Sequence, residues 1–291
     1  MKFKVAGIQM GPYPGDYESN MEKALEVLEG VVKKENPYVV LFSEVMTGPY
    51  FCQLVDDKFF KLAEPVDGRS VTTLTKKAKE LGVHIVGTFF EKAVENGQTH
   101  YYNSAYLCSP TRGLVGVYRK VHLPKVNQPS LTCDEKYYFE RLGGGGKDFP
   151  VYGMDNGVKV GMLLCFDRSF PESWRELMLK SAQVVFLLVA TWGFREAIFV
   201  QELQIRAIEN RIFVVAVNKA GDEIVPGEAQ ARNHFGRSSI IDPNGEIVAQ
   251  TGKEPWGYVA AEIDLDKIEE AKKVIDWKAE RKPHLYKTIS V

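Results

Sequence analysis

The sequence has no paired cysteines. Cys52, Cys108, Cys133 and Cys165 are scattered singly, with no C-x-x-C among them. That argues against a disulfide framework and a zinc ribbon, and fits a reducing, cytoplasmic setting. The five histidines form no cluster with cysteines or acids at metal-ligand spacing, so no metal site is expected. Charge of either sign is not in excess: 37 Lys and Arg against 38 Asp and Glu give a net charge of −1. With no basic block and no aromatic-interleaved basic stripe, a nucleic-acid partner is not expected. No apolar run approaches the length of a membrane span, and the run in residues 1–10 is too short for a signal peptide. Low-complexity segments and flexible linkers are also missing. Gly143-Gly144-Gly145-Gly146-Lys147 hints at a phosphate loop, but Asp148 stands where the Mg²⁺-binding hydroxyl belongs and no strand precedes the glycines.

What remains is a chain of 291 residues, 45% hydrophobic, in which short apolar runs alternate with helical patterns. That predicts an α/β layered fold. Residues 4–9, 38–42 and 84–90 read as strands. Met21, Ala24, Leu25, Leu28, Val31 and Val32 share one helical face, and Leu74, Ala78 and Leu81 mark a second helix. Residues 102–108 and 114–118 flank a hairpin turn. The same order recurs from residue 158: strands at 158–164, 184–189 and 212–217, helices around Trp174 and over 199–209, and a hairpin across Asp242-Pro243-Asn244-Gly245. Two degenerate copies of one unit, stacked sheet on sheet with helices outside, give a four-layer α-β-β-α sandwich. Residues 1–276 are then one domain and 277–291 a tail. Alternation is common in α/β proteins, so the pattern alone leaves the duplication open.

The two copies differ where chemistry could be installed. The strand 39–42 runs on into Ser43-Glu44, whereas its counterpart ends in Leu188-Val189. A carboxylate at the exit of a buried strand is costly unless it is paired. Cys165 ends an apolar run and is followed by a polar turn, with a helix expected from about Pro171. Strand exits facing a helix N-terminus are where α/β proteins place reactive groups, and such an N-terminus favours a thiolate. A buried structural cysteine is the plainer alternative. Lys120 follows the last strand of the first half. A base, a cation and a nucleophile therefore all stand at strand exits.

The segments Phe42-Ser43-Glu44, Tyr118-Arg119-Lys120-Val121-His122-Leu123-Pro124 and Leu164-Cys165-Phe166-Asp167-Arg168-Ser169-Phe170-Pro171-Glu172 resemble, in this order, the motifs of the nitrilase superfamily of carbon–nitrogen hydrolases. The resemblance runs to about Tyr286. It implies the α-β-β-α sandwich and a Glu44–Lys120–Cys165 triad. A second family glutamate maps onto Glu135, which would position the substrate nitrogen or hold Lys120. In that scheme Cys165 attacks an amide-type carbonyl and Glu44 is the general base. Lys120 and the Phe166 backbone N–H stabilise the oxyanion. No cofactor is needed.

Cys165-Phe166-Asp167 differs from the Cys-Trp-Glu typical of true nitrilases, which favours amide or ureido substrates. Arg168 resembles the arginine that holds the carboxylate in N-carbamoyl amino acid hydrolases. It could instead pair with Asp167 or Glu172. His122 also fits the carbamoyl-hydrolase pattern, or is a satisfied loop histidine. Cys133 stands where the D-carbamoylase branch has histidine. Residues 190–194 are expected to form a pocket wall, with Thr191 and Trp192 either touching substrate or, for Trp192, packing in the core. Residues 128–132 and 143–146 would shape the entrance. The expected function is hydrolysis of an N-carbamoyl amino acid or amine. A general aliphatic amidase or nitrilase-like enzyme is the alternative, and a binding module with a structural or redox thiol is the alternative of another class. The tail 277–291 resembles segments that cross a two-fold interface, which implies a homodimer or larger homo-oligomer.

Overall fold

The computed structural model describes residues 1–128, 131–140, 145–227 and 230–289. In chain order the strands are β1 (Lys2–Gln9), β2 (Val39–Phe42), β3 (His84–Glu95), β4 (Gln98–Ser109), β5 (Gly113–Arg119), β6 (Lys125–Gln128), β7 (Leu131–Asp134), β8 (Val151–Gly153), β9 (Lys159–Leu164), β10 (Val184–Leu188), β11 (Phe213–Val217), β12 (Ala220–Glu223), β13 (Arg232–Phe235), β14 (Ser239–Ile241), β15 (Ile247–Gln250) and β16 (Gly257–Asp264). The helices are α1 (Tyr17–Glu35), α2 (Arg69–Leu81), α3 (Glu135–Phe139), α4 (Pro171–Leu179), α5 (Phe199–Asn210), α6 (Asp266–Val274) and α7 (Trp277–Glu280).

The repeated pattern in the sequence becomes a repeated topology. One sheet has the order β16-β1-β2-β3-β4-β5 and the other β8-β9-β10-β11-β14-β15. In each, three central strands are parallel, a hairpin-connected pair extends one side antiparallel, and a single antiparallel strand closes the other.

The continuous apolar runs reflect burial on both faces. Along β2, Val39 and Leu41 pack between the sheets with Met162, Leu187 and Val215. Val40 and Phe42 face outward onto Met21 and Leu28 of α1 and Leu74 of α2. The outer face of the second sheet is covered by Trp174 and Leu177 of α4 and Phe199 and Leu203 of α5. The result is helix, sheet, sheet, helix. Local signals set the helix ends. Asp16 accepts from the Ser19 N–H at 2.7 Å to start α1, Pro171 opens α4, and Gly82 (φ +69°) closes α2.

The hairpin strands β6, β7, β12 and β13 and the edge strand β8 were not expected from the sequence. They are three or four residues long, too short to carry an alternating pattern. β16 is longer and pairs along the whole of β1. The supposed entrance loop 128–132 joins β6 to β7. Its Pro129 and Ser130, like Gly143 and Gly144 of the glycine run, lie outside the described residues. Gly146 packs on the Lys120 backbone, donating its N–H to the Lys120 carbonyl at 2.8 Å. None of the described residues forms a helix long and apolar enough to cross a membrane.

Close approach of the sheets depends on Gly7. A Cβ there would overlap Cγ2 of Val217 on β11. Gly7→Ala is expected to lower the unfolding free energy by about 1–3 kcal/mol through overpacking, read from the denaturant midpoint. Adding Val217→Ala should restore part of the loss. An unchanged midpoint in the single variant would show that the sheets have slack here.

Candidate active site

Glu44 leaves β2 at the point where Val189 leaves β10, and the two exits meet. The Glu44 N–H donates to the Val189 carbonyl at 3.3 Å, and the Ala190 N–H donates to Glu44 Oε2 at 3.1 Å. Glu44 Oε1 accepts from Asn103 Nδ2 at 2.9 Å and from Lys120 Nζ at 2.8 Å. The carboxylate is thus fully buried and satisfied on both oxygens.

Lys120 continues the edge of β5, its N–H bonded to the Asn103 carbonyl at 2.9 Å. Its ammonium also donates to Glu135 Oε1 at 2.7 Å. Glu135 opens α3, and the same oxygen accepts from the Tyr50 hydroxyl at 2.6 Å. Glu135 Oε2 is buried with no partner among the described residues. Burial works against the Lys120 charge, but Glu135 and Glu44 hold its pKa well above that of a free lysine. Burial pushes Glu135 up to about 7, against the pull of Lys120.

Cys165 begins a 3-10 turn (Cys165–Ser169) at the exit of β9, with φ +37°. That left-handed backbone is strained for a residue with a Cβ. The sulfur lies on the wall of a cavity of about 190 Å³, together with Tyr50, Cys133, Phe166 and Trp192. The hydrogen bond to the sulfur comes from Arg168 Nη1 at 3.3 Å, and the same nitrogen donates to the Cys165 carbonyl at 2.7 Å. The sequence had suggested a thiolate favoured by a helix N-terminus, and the structure corrects this. α4 begins only at Pro171, and burial, reinforced by Glu44, pushes the Cys165 thiol up to about 11. The resting group is a thiol that needs a base.

Asp167, read from the sequence only as a motif residue and a possible partner of Arg168, aligns the thiol turn with the lysine segment. It is fully buried. Oδ2 accepts from the Tyr118 hydroxyl at 2.6 Å and the Leu164 N–H at 3.0 Å, and Oδ1 accepts from the His122 N–H at 2.9 Å. Tyr118 and His122 flank Lys120 at alternate positions, so both neighbours are tied to the cysteine turn while Lys120 reaches the two glutamates. His122 Nδ1 also sits 2.9 Å from Asp167, and the ring stacks on Phe170 at 3.6 Å. The cavity wall beside Cys165 does not include His122; its place is that of a satisfied loop histidine.

Arg168 pairs with neither Asp167 nor Glu172. Its Nε lies 3.2 Å from Glu202 on α5, off the line of a hydrogen bond. Thr191 is on the wall, its N–H bonded to Asn218 Oδ1 at 3.0 Å. Trp192 both lines the cavity and packs, edge-on to Tyr50 at 5.3 Å and His234 at 5.5 Å. Tyr50 is held in turn by Glu223, whose Oε1 accepts its N–H at 2.8 Å. Burial opposes the Glu223 charge, yet Lys219 and His234 hold its carboxyl well below the usual range. Tyr50, Asn103, Glu202 and Glu223 carry no motif, and only the fold brings them together.

A thiol on a small cavity, within reach of the charges of a buried cation and its two carboxylates, is equipped for acyl transfer from a polar carbonyl compound. The chain belongs to the carbon-nitrogen hydrolase family, whose model matches residues 4–273. It is 31% identical to N-carbamoylputrescine amidase of Solanum lycopersicum, over 94% of this chain and 90% of that one. It is 34% identical to 2-oxoglutaramate amidase of Bacillus subtilis, over 94% and 96%. A carbon-nitrogen hydrolase from Helicobacter pylori G27 superposes with a TM-score of 0.90 at 25% identity, covering 100% of this chain and 99% of that one. The protein is therefore a carbon–nitrogen hydrolase of the nitrilase superfamily, not a binding module on the same fold.

The electrostatics make a prediction for free enzyme. Iodoacetamide should modify Cys165 with an apparent pKa of about 11. Glu44→Gln should move that value down, because the carboxylate disfavours the thiolate. An alkylation pH profile checks this; an upward shift would mean that Glu44 does not act on the thiol by its charge.

Proposed function

We propose that the enzyme hydrolyses the ureido group of a small N-carbamoyl amino acid or amine through a covalent intermediate on Cys165. The thiol, neutral at rest, gives its proton to Glu44 as the sulfur attacks the ureido carbon. Lys120 and the Phe166 N–H hold the oxyanion. Ammonia leaves with the proton, and a carbamoyl thioester remains. Glu44 then takes a proton from water, which cleaves the thioester; the carbamic acid released breaks down to CO2 and the free amine. Glu135, bonded to Lys120 through Oε1, would fix the lysine and offer Oε2 to the substrate nitrogen.

The observation that carries this reading is Lys120, fully buried between Glu44 and Glu135, with its charge acting on the Cys165 thiol. The cavity volume, below the ~300 Å³ of drug-sized sites, supports a small substrate. The relatives named for a carbamoyl amide and for an amide support ureido or amide chemistry, and the Cys165-Phe166-Asp167 sequence supports it over nitriles, although a nitrilase of Pyrococcus abyssi is 32% identical over 90% of the chain. Thr191 and Trp192 are proposed as substrate contacts, and His122 as a holder of the Asp167 turn.

The test is ammonia release over N-carbamoyl amino acids, N-carbamoyl amines, aliphatic amides and a nitrile. Turnover of carbamoyl compounds is expected, with Cys165→Ala slower by at least about 10³-fold and folded normally. Activity surviving in that variant overturns the thiol mechanism, and turnover of amides or the nitrile alone overturns the ureido assignment.

A homodimer or larger assembly through the tail is proposed as well. Leu285 and Ile289 there are largely exposed, and α7 and the 3-10 turn after it (Pro283–Leu285) bury no residue. Light scattering should give at least twice the 32.8 kDa chain mass. A monomer contradicts the proposal.

A further inference from the structure

The ureido reading leaves open what the far end of the substrate carries, and the charge on the cavity wall bears on that. The charged residues lining the cavity are Arg168 and Arg195, with no Asp or Glu among the lining residues. Behind them one carboxylate serves both. Arg195 Nη2 donates to the two oxygens of Glu202, each at 3.0 Å, and to Ser169 Oγ at 2.9 Å. Arg168 Nε stands 3.2 Å from the same Glu202. Two guanidiniums against one carboxylate leave one positive charge in excess. The pairing also fixes the cations without using up their donors. Among the described residues none accepts from Arg195 Nε or Nη1, or from Arg168 Nη2. Arg168 is almost wholly buried and committed to Cys165, whereas about a fifth of the Arg195 side chain is exposed, in the turn Gly193–Ala197.

We propose that Arg195, held on Glu202 beside Arg168, selects a substrate that carries a carboxylate away from the scissile bond. A guanidinium with a free edge suits a carboxylate, and an excess positive charge disfavours an ammonium tail. This deepens the proposed function and rests on Cys165 being the reacting group; it chooses carbamoyl acids over carbamoyl amines.

Three probes of equal length isolate the charge: succinamate (anionic), succinamide (neutral) and 4-aminobutyramide (cationic). Each is titrated for protection of Cys165 against iodoacetamide, which reports binding whether or not the compound is hydrolysed. The expected result is succinamate binding at least about tenfold more tightly than succinamide, with 4-aminobutyramide weakest and the preference shrinking as salt rises. Arg195→Gln should bring the anionic-to-neutral ratio close to one. Arg195→Lys should keep part of it, as a charge without the fork. A variant damaged only in folding would weaken all three probes together and leave the ratio intact.

Equal protection by succinamate and succinamide in the wild-type protein, a preference for the amine, a ratio unmoved by both substitutions, or no protection by any probe overturns the proposal. Failure of the ureido reading looks different: no ammonia from any carbamoyl compound, with the charge preference in the protection assay still in place.

Discussion

The buried Lys120 ammonium between Glu44 and Glu135 is the interaction on which the rest of the structure depends. Three ionisable side chains with no exposure to water would be untenable singly. Together they are held by a set of fixed donors. Asn103 and the Ala190 N–H serve Glu44, and Tyr50 serves Glu135. Removing any one partner leaves a charge stranded in a low-dielectric interior, so the geometry admits little variation. Each partner arrives from a different element: β2, β4, the edge of β5, α3, the loop before Phe51 and the exit of β10. The cluster can exist only when both sheets are in place.

That requirement explains the use of a duplicated architecture. The sheets repeat one topology, but the repeat is chemically asymmetric. Where the first sheet sends out Glu44, the second sends out Val189 and supplies backbone groups instead. The second sheet contributes its own reactive group one strand over, at the exit of β9. The two segments are aligned by Asp167, a fixed acceptor for Tyr118, His122 and Leu164. A seam between two similar halves can thus be apolar through most of its depth and polar at one end, which confines the desolvation cost to the region that uses it.

Much of this was legible in the sequence because periodicity and contrast are local. The apolar runs of β2, β9, β10 and β11 gave the parallel strands, and the contrast of Glu44 with Val189 marked a carboxylate with no packing role. Their places at strand exits marked Cys165 and Lys120, and the resemblance to a known superfamily joined them to Glu44 and added Glu135. The partners were not legible. Asn103, Tyr50 and Glu202 are ordinary residues in their own segments and acquire meaning from contacts across 34 to 85 positions of chain. For Arg168 the sequence leaves open a substrate carboxylate or a neighbouring acid, Asp167 or Glu172. In the fold Asp167 turns back towards β5 while Arg168 turns towards α5, because successive residues of a tight turn point in different directions. The thiolate expectation failed for a related reason: a 3-10 turn with its own strained first residue intervenes between the strand and α4, and burial then decides the protonation state.

A neutral thiol at rest makes sense of the wider charge distribution. A standing thiolate would add a negative charge beside Glu44, and burial disfavours it. In the proposed mechanism, a thiol that surrenders its proton only as the carbon–sulfur bond forms avoids that charge; the negative charge would then develop on the substrate oxygen, where Lys120 would meet it. Arg168 on the wall acts against burial and Glu44, pulling the thiol pKa down without reaching the thiolate. On the proposed reading, binding and chemistry would be served by opposite ends of one electrostatic arrangement. A carbonyl compound that brings its own anion to the arginines would neutralise the wall at the moment of binding and leave Lys120 as the cation nearest the reacting oxygen.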